Sequence, residues 1–226
     1  MRRFLVVAVT VSAMLAILSA PWALGQPWLN FVFKPLTTVL ILLQAWRLGS
    51  GRPAERRWVL AGLGLSLAGD VALMWPQQGF LAGLVSFLLA HLAYLVAFTR
   101  RCRLAARVVP FVAYAGVAGA ILAALWPGVP GPLRVPVVAY VLCLASMAAQ
   151  AAVIWREHPD RHNRSLAIGG ALFMASDALL AVNRFAQPLP AASLWILATY
   201  WLAQWRIAGW LTTAEAPRGT GQPDTR

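Results

Sequence analysis

Apolar residues along this chain come in long runs separated by short polar or Pro/Gly-containing connections, not in one-sided stripes. Eight runs can be delimited, at about 4–20, 29–48, 58–75, 79–99, 108–126, 135–155, 165–184 and 191–212. Most are near the ~20 residues that carry an α-helix across ~30 Å of hydrocarbon. A helix satisfies its backbone polar groups internally, which a bilayer interior requires of a spanning segment. The pattern therefore predicts an all-α integral membrane protein built as an eight-helix transmembrane bundle. No long polar linker divides it, so residues 1–212 are expected to form a single polytopic membrane domain. Residues 213–226, "TAEAPRGTGQPDTR", are expected to be a polar, disordered tail. The first run also admits reading as a cleavable leader, with "MRR" before an apolar core and Ala23 and Gly25 at cleavage spacing. Removal of that leader would leave seven helices in the same orientation.

Composition agrees with the pattern: of 226 residues, 60% are hydrophobic and 12% charged, against roughly 25% charged in soluble domains. The formal net charge of +12 would suit a nucleic-acid binder only if the basic residues shared a solvated face or tail. Here they punctuate apolar segments, so no nucleic-acid partner is expected. Their placement sets an orientation instead, because positively charged connections are retained on the cytoplasmic side. Arg2 and Arg3 precede the first run. Arg47, Arg52, Arg56 and Arg57 surround the second connection, Arg100, Arg101, Arg103 and Arg107 the fourth, and Arg156, Arg161 and Arg164 the sixth. These are alternate connections, while the opposite ones carry only Arg134 and Arg184, so both termini are expected to be cytoplasmic. The compact, arginine- and alanine-rich chain suggests a bacterial inner membrane location.

Two short stretches resemble each other: "SLAGDVALM" at 66–74 and "FMASDALLA" at 173–181. They fall on the third and seventh helices, which run in the same direction in an eight-helix bundle, as a four-plus-four parallel duplication would produce. Each contains an aspartate within an apolar run, Asp70 and Asp177. A charge at mid-bilayer costs at least ~2.5–3.5 kcal/mol, so such residues face a bundle interior or cavity and are functional candidates by default. The alternative role is an ion pair that fixes helix packing. The only lysine of the chain, Lys34, lies in the second run beside Pro35 and at a similar depth in the outer half of the bundle. It can be held by one or both carboxylates, bind an anionic ligand, or snorkel to the surface.

Other polar residues fall on compatible faces. Asn30 and Lys34, Ser66 and Asp70, and Tyr200 and Gln204 are four apart, and His91 and Tyr94 three apart, so each pair shares a helical face. Together they are expected to line one polar cavity, with helix–helix hydrogen bonding as the competing role. Asn183 and Arg184 stand at the outer end of the seventh helix as headgroup contacts or interfacial anchors, and Arg206 on the eighth helix as a snorkelling residue. The three histidines are scattered, with His158 and His162 in a connection, so no metal site is expected. Neither a G-x-S-x-G elbow nor a P-loop is present. "GLGLSLAG" suits small-residue helix packing better than phosphate binding.

"KPLTT" on the second helix, "GLGLSLAGDVALM" on the third, "FLAGLVSFLLAHLAYLVAF" on the fourth, "GGALFMASDALLAVNRF" on the seventh and "YWLAQWRIAGW" on the eighth together resemble the YhhN family of lysoplasmalogenase-like membrane proteins. The resemblance spans nearly the whole chain, although the stretch between the fourth and sixth helices carries no matching motif. It implies hydrolysis of the vinyl ether bond of a lysoplasmalogen to a fatty aldehyde and glycerophosphoethanolamine or glycerophosphocholine. The implied partners are a lysophospholipid substrate and membrane lipid, and no cofactor is implied. Such hydrolysis begins with protonation of the β-carbon, after which water adds to an oxocarbenium ion and the hemiacetal collapses. It needs an acid, a base and a counter-charge, work that two carboxylates in a poorly solvated cavity can divide. Asp70 and Asp177 are therefore the candidate catalytic residues. Lys34, Asn30, Ser66, His91, Tyr94, Asn183, Tyr200 and Gln204 are the candidate substrate-binding groups. The rival function is a small proton-coupled transporter or lipid carrier, since intramembrane aspartates also relay protons and repeats underlie alternating access.

Overall fold

The computed structural model describes residues 2–75 and 77–212. Among these residues every long element is an α-helix: α1 (Arg2–Leu18), α2 (Pro27–Arg47), α3 (Pro53–Ala72), α4 (Phe80–Thr99), α5 (Val108–Leu125), α6 (Arg134–Glu157), α7 (Arg161–Phe185) and α8 (Ala192–Gly209), with short 3₁₀ turns at Trp126–Gly128 and Gly131–Leu133. The polar tail expected over 213–226 lies outside the described residues.

Local chemistry sets the helix ends. Pro27 and Pro53 occupy the first turns of α2 and α3, where a missing N–H costs nothing and the fixed φ suits a helix start. Asp160 caps α7 by accepting hydrogen bonds from the backbone N–H groups of His162 and Asn163, at 2.7 and 2.8 Å. Gly49, at φ +77°, makes the left-handed turn between α2 and α3.

Five helices are long and apolar enough to cross a membrane: Pro27–Arg47, Phe80–Thr99, Val108–Gly128, Gly131–Glu157 and Arg161–Phe185, the third and fourth including the neighbouring 3₁₀ turns. This is a multi-pass membrane protein. The remaining helices are shorter or more polar: α1 has 17 residues, and α3 contains Glu55, Arg56, Arg57 and Asp70. Exposed tryptophans gather at helix ends, with Trp28 and Trp46 on α2, Trp75 after α3, Trp126 after α5, Trp155 on α6 and Trp195 on α8. Interfacial belts place amphipathic rings at that level.

Consecutive helices pack on one another, except that α5 turns away from α4 and α6 takes its place. Beyond these, α5 touches α7 lightly, and the other contacts join the halves of the chain: α4 lies against α6, α2 against α8, and α1 and α3 also reach α8. The consecutive packing of α1–α4 recurs in α5–α8, and the crossing of α2 to α8 has its counterpart in that of α6 to α4, whereas the packing of α1 on α8 is not matched between α5 and α4. Ser12 on α1 fastens that helix to α2, bonding the Thr37 hydroxyl at 2.8 Å and donating to the Phe33 carbonyl at 3.1 Å.

α3 meets α4 most closely through the small side of "GLGLSLAG". A Cβ on Gly69 would lie 2.6 Å from the Phe87 ring, and one on Gly62 would overlap the edge of the Tyr94 ring, whereas one on Gly64 would meet nothing within 4 Å. Tyr94 is fully buried and has no room to yield. Gly62→Ala is therefore expected to destabilise the folded protein by about 1–3 kcal/mol through overpacking, and Gly64→Ala to be neutral or mildly stabilising. Unfolding of the purified variants in detergent checks both.

Candidate active site

Asp70 lies near the end of α3 with its side chain only 2% exposed. Its Oδ2 accepts hydrogen bonds from the Thr38 hydroxyl at 2.6 Å and the Tyr200 hydroxyl at 2.8 Å, and its Oδ1 is 3.8 Å from Nζ of Lys34. The network continues outward. Gln204 donates to the Tyr200 oxygen at 3.3 Å, Tyr94 donates to Oε1 of Gln204 at 2.6 Å, and the Trp201 indole donates to the Thr38 oxygen at 3.2 Å. Four helices, α2, α3, α4 and α8, are thereby tied to one carboxylate. Thr38 and Lys34 are four apart on α2 and so present their polar ends together.

Asp177, on α7, has a different environment. The Tyr140 hydroxyl of α6 donates to its Oδ2 at 2.5 Å, and Nε2 of His91 on α4 stands 3.9 Å away, a distance too long for a hydrogen bond. Among the described residues both His91 nitrogens are buried and without a hydrogen-bond partner. The Asp177 side chain is 12% exposed, and what it faces is a cavity between α4, α5, α6 and α7. The space it opens on measures about 860 Å³ when the open solvent at its mouth is included. Its lining is almost wholly apolar, with Ala118, Leu144, Ala145 and Met174 deep inside and Phe80, Val129 and Phe185 toward the end of the bundle. Among the described residues that line it, Tyr140, Asp177 and Arg184 bring the only hydroxyl and charged side chains. The Arg184 guanidinium lies 4.9 Å from the centre of the Phe80 ring.

The single polar cavity expected from the sequence is thus two cells. Phe173 stands between them, its ring centre 5.6 Å from that of Tyr200 and 4.6 Å from that of His91, and Phe87 packs against both Phe173 and Tyr200. Aromatic residues from α4 and α7 fill the centre of the bundle, so polar groups at one depth need not meet. Lys34, Asp70, Tyr94, Tyr200 and Gln204 come together on one side, and His91 and Asp177 on the other.

Of the remaining candidates, Ser66 is buried beside Tyr94, and among the described residues its hydroxyl makes no well-formed hydrogen bond. Asn30 lies one turn before Lys34, and among the described residues its buried oxygen has no hydrogen-bond partner. Asn183 accepts a hydrogen bond from the Leu189 backbone at 2.9 Å and so braces the α7–α8 connection. Tyr140 and Thr38 escaped the sequence reading. A hydroxyl-bearing residue inside an apolar run was the available signal, and Tyr140 is one of only four tyrosines.

The fold and these two cells define a multi-pass helical membrane protein with a carboxylate opening on a lipid-like cavity. The chain belongs to the YhhN family, whose sequence profile matches residues 29–211. It is similar to Lysoplasmalogenase TMEM86B of Sus scrofa, with 34% identity over 85% of this chain and 79% of the relative. Similarity to the Lysoplasmalogenase of Mycobacterium bovis is 32% identity over 88% of this chain and 77% of the relative. The Uncharacterized membrane protein YhhN of Escherichia coli is 32% identical over 76% of this chain and 80% of its own length. No solved structure matches.

Breaking the buried Lys34–Asp70 pair on one side leaves an uncompensated charge. Lys34→Met is expected to cost about 3–5 kcal/mol, much of it recovered when Asp70→Asn is added. A double-mutant cycle on unfolding free energies reads this directly, and additive losses would show that the two groups are not coupled.

Proposed function

We propose that this protein is a lysoplasmalogenase-type hydrolase that cleaves the vinyl ether bond of a lysoplasmalogen. One observation carries the reading: Asp177, with its Tyr140 partner, and Arg184 open on the same apolar cavity. The two charges are seven residues apart on α7, two turns of one face and about 10.5 Å of rise. A single-chain ether lipid complements that arrangement. Its alkenyl chain lies along the apolar depth, its vinyl ether at Asp177, and its phosphate at Arg184 by the mouth. The names of the relatives support the same reaction class.

In this reading the protonated Asp177 donates its proton to the β-carbon of the vinyl ether, leaving a carboxylate beside the new oxocarbenium ion. Water adds to the α-carbon and returns a proton to the carboxylate. Transfer of the hemiacetal hydroxyl proton to the departing glycerol oxygen releases a fatty aldehyde and glycerophosphoethanolamine or glycerophosphocholine. Tyr140 donates to the carboxylate throughout, and His91, whose ring nitrogens are otherwise unpartnered, orients the water. Asp70 lies outside the cavity and acts as a positioning residue. It holds Tyr200, which packs against the cavity-lining Phe87, while Lys34 supplies its counter-charge.

Aldehyde release by purified protein in detergent tests this assignment. General acid catalysis is worth ~10²–10⁴-fold, so Asp177→Asn should lower kcat by about that factor at unchanged Tm. Arg184→Gln should raise KM with kcat near wild type. Full activity in Asp177→Asn would remove the proposed acid, and ligand uptake into vesicles without aldehyde would favour a lipid carrier.

The same proposal places the chain in a bacterial inner membrane, with eight crossings, both termini cytoplasmic and two halves related by duplication. The arginine-rich alternate connections and the repeated neighbour relations of the halves support it. In right-side-out vesicles a membrane-impermeant maleimide should label Gln187→Cys at once but reach Cys102 only after permeabilisation. The reverse order would invert the topology.

A further inference from the structure

A second charged groove lies at the opposite end of α7 from Arg184, where the end of α6, the first turns of α7 and the last turns of α8 converge. Arg161, Arg164 and Arg206 line it, together with Ser165, Trp155 and Asp160. Three guanidinium groups thus face a single carboxylate.

That carboxylate is already engaged, because Asp160 bonds the backbone N–H groups of His162 and Asn163 and the Asn163 side chain. The neighbouring Glu157 pairs with Arg107 at 2.5 Å. Among the described residues Arg161 donates only to the His162 ring, at 3.1 Å, and Arg206 only to the Ser165 hydroxyl, at 3.4 Å. Among the described residues Nε of Arg206 is buried without a partner, and Arg164 forms no ion pair. Donors of fork geometry without an acceptor are what a phosphate takes up in bidentate fashion. The helix N-terminus is not the attraction, since Asp160 has already capped it.

We propose that this groove binds the phosphate of an anionic phospholipid of the adjoining leaflet. The choice of lipid over a soluble phosphate rests on the groove's walls. Trp155 and Ile168, each more than a third exposed, continue the outward faces of α6 and α7, two helices long and apolar enough to span the membrane. A lipid whose phosphate sits among the arginines can lay its acyl chains along those faces, whereas a free anion gains nothing from them. Excess positive charge at a leaflet surface also draws anionic lipid there before any specific contact forms. The site is separate from the Asp177 cavity, and the inference stands whether or not the proposed hydrolysis is correct.

Native mass spectrometry of the detergent-purified protein with phosphatidylglycerol or phosphatidylcholine provides the test. The wild type should retain phosphatidylglycerol about 10-fold or more over phosphatidylcholine. Arg164→Gln/Arg206→Gln should abolish that preference, while Arg101→Gln/Arg103→Gln, with the same loss of charge, should preserve it. Size exclusion and thermal unfolding establish that the variants remain folded, and Arg164→Gln alone, at an exposed position, should show a partial loss. An equal fall in both double variants would reduce the effect to net charge and overturn the site. Competition of phosphatidylglycerol by millimolar inorganic phosphate would overturn the lipid assignment in favour of a soluble anion.

Discussion

Hydrocarbon offers no water to a buried polar group, so every such group in this bundle needs a partner from the protein. Asp70 meets that requirement most completely, and its partners dictate much of the architecture. Lys34 and Thr38 arrive from α2 and Tyr200 from α8. The second and last helices of the chain are thus brought onto the third, and the bundle closes. Gln204 and Tyr94 extend the bonding to α4. Gly62, Ser66 and Gly69 share one side of α3, where two absent side chains let the Tyr94 and Phe87 rings approach. A small-residue face and a hydrogen-bonded carboxylate thus serve the same junction: one permits close approach, the other fixes its register.

The second half has the same consecutive helix packing with less closure. Asp177 receives its hydrogen bond from the preceding helix, α6, as Asp70 does from α2, and faces α4, as Asp70 faces α8. Yet it has one hydrogen-bond donor where Asp70 has two donors and a cation. The helix beyond it is also more loosely attached: α5 packs on α6 and only lightly on α7, and turns much of its surface outward. The cavity opens beside this slack helix. One carboxylate is thereby committed to structure while its counterpart keeps unused hydrogen-bonding capacity facing an apolar space.

The helices were legible because a spanning segment must be apolar along nearly its whole length, and all eight runs became helices within a few residues of the expected ends. The two aspartates were legible for the converse reason, since a charge in such a run is costly. Partnership was not legible. Depth along parallel helices placed Lys34, Asp70 and Asp177 in one layer, but rotation about each helix axis decides which groups meet. Phe87 and Phe173, read only as apolar, turned out to be the partition. Tyr140 was passed over because a tyrosine in an apolar run counts as hydrophobic until a carboxylate is found at its hydroxyl. Asn183 was legible as polar but not as a brace for its own connection. Among the described residues five helices meet the length and composition of a span, and α3 falls short chiefly because Glu55, Arg56 and Arg57 crowd its first turns, with Asp70 adding a fourth charge near its end.

The proposed chemistry suits a site with so few polar groups. Proton transfer from a neutral carboxyl to a neutral vinyl ether creates two opposite charges in contact, and they disappear together when water has added and the proton has returned. An isolated ion would be penalised heavily in such surroundings, but a contact pair of opposite sign is held more strongly there than in water. The Tyr140 hydroxyl already points at the Asp177 oxygen. Its hydrogen bond strengthens as that oxygen becomes anionic, so the interaction grows toward the transition state instead of stabilising both states equally. The cavity need supply only a fixed donor, a carboxyl group, room for one water and an arginine that keeps the phosphate away from the apolar depth. Among the described residues no further charge adjoins Asp177, which suits the proposed chemistry: another fixed cation would oppose the oxocarbenium ion, and another carboxylate would oppose the one that forms.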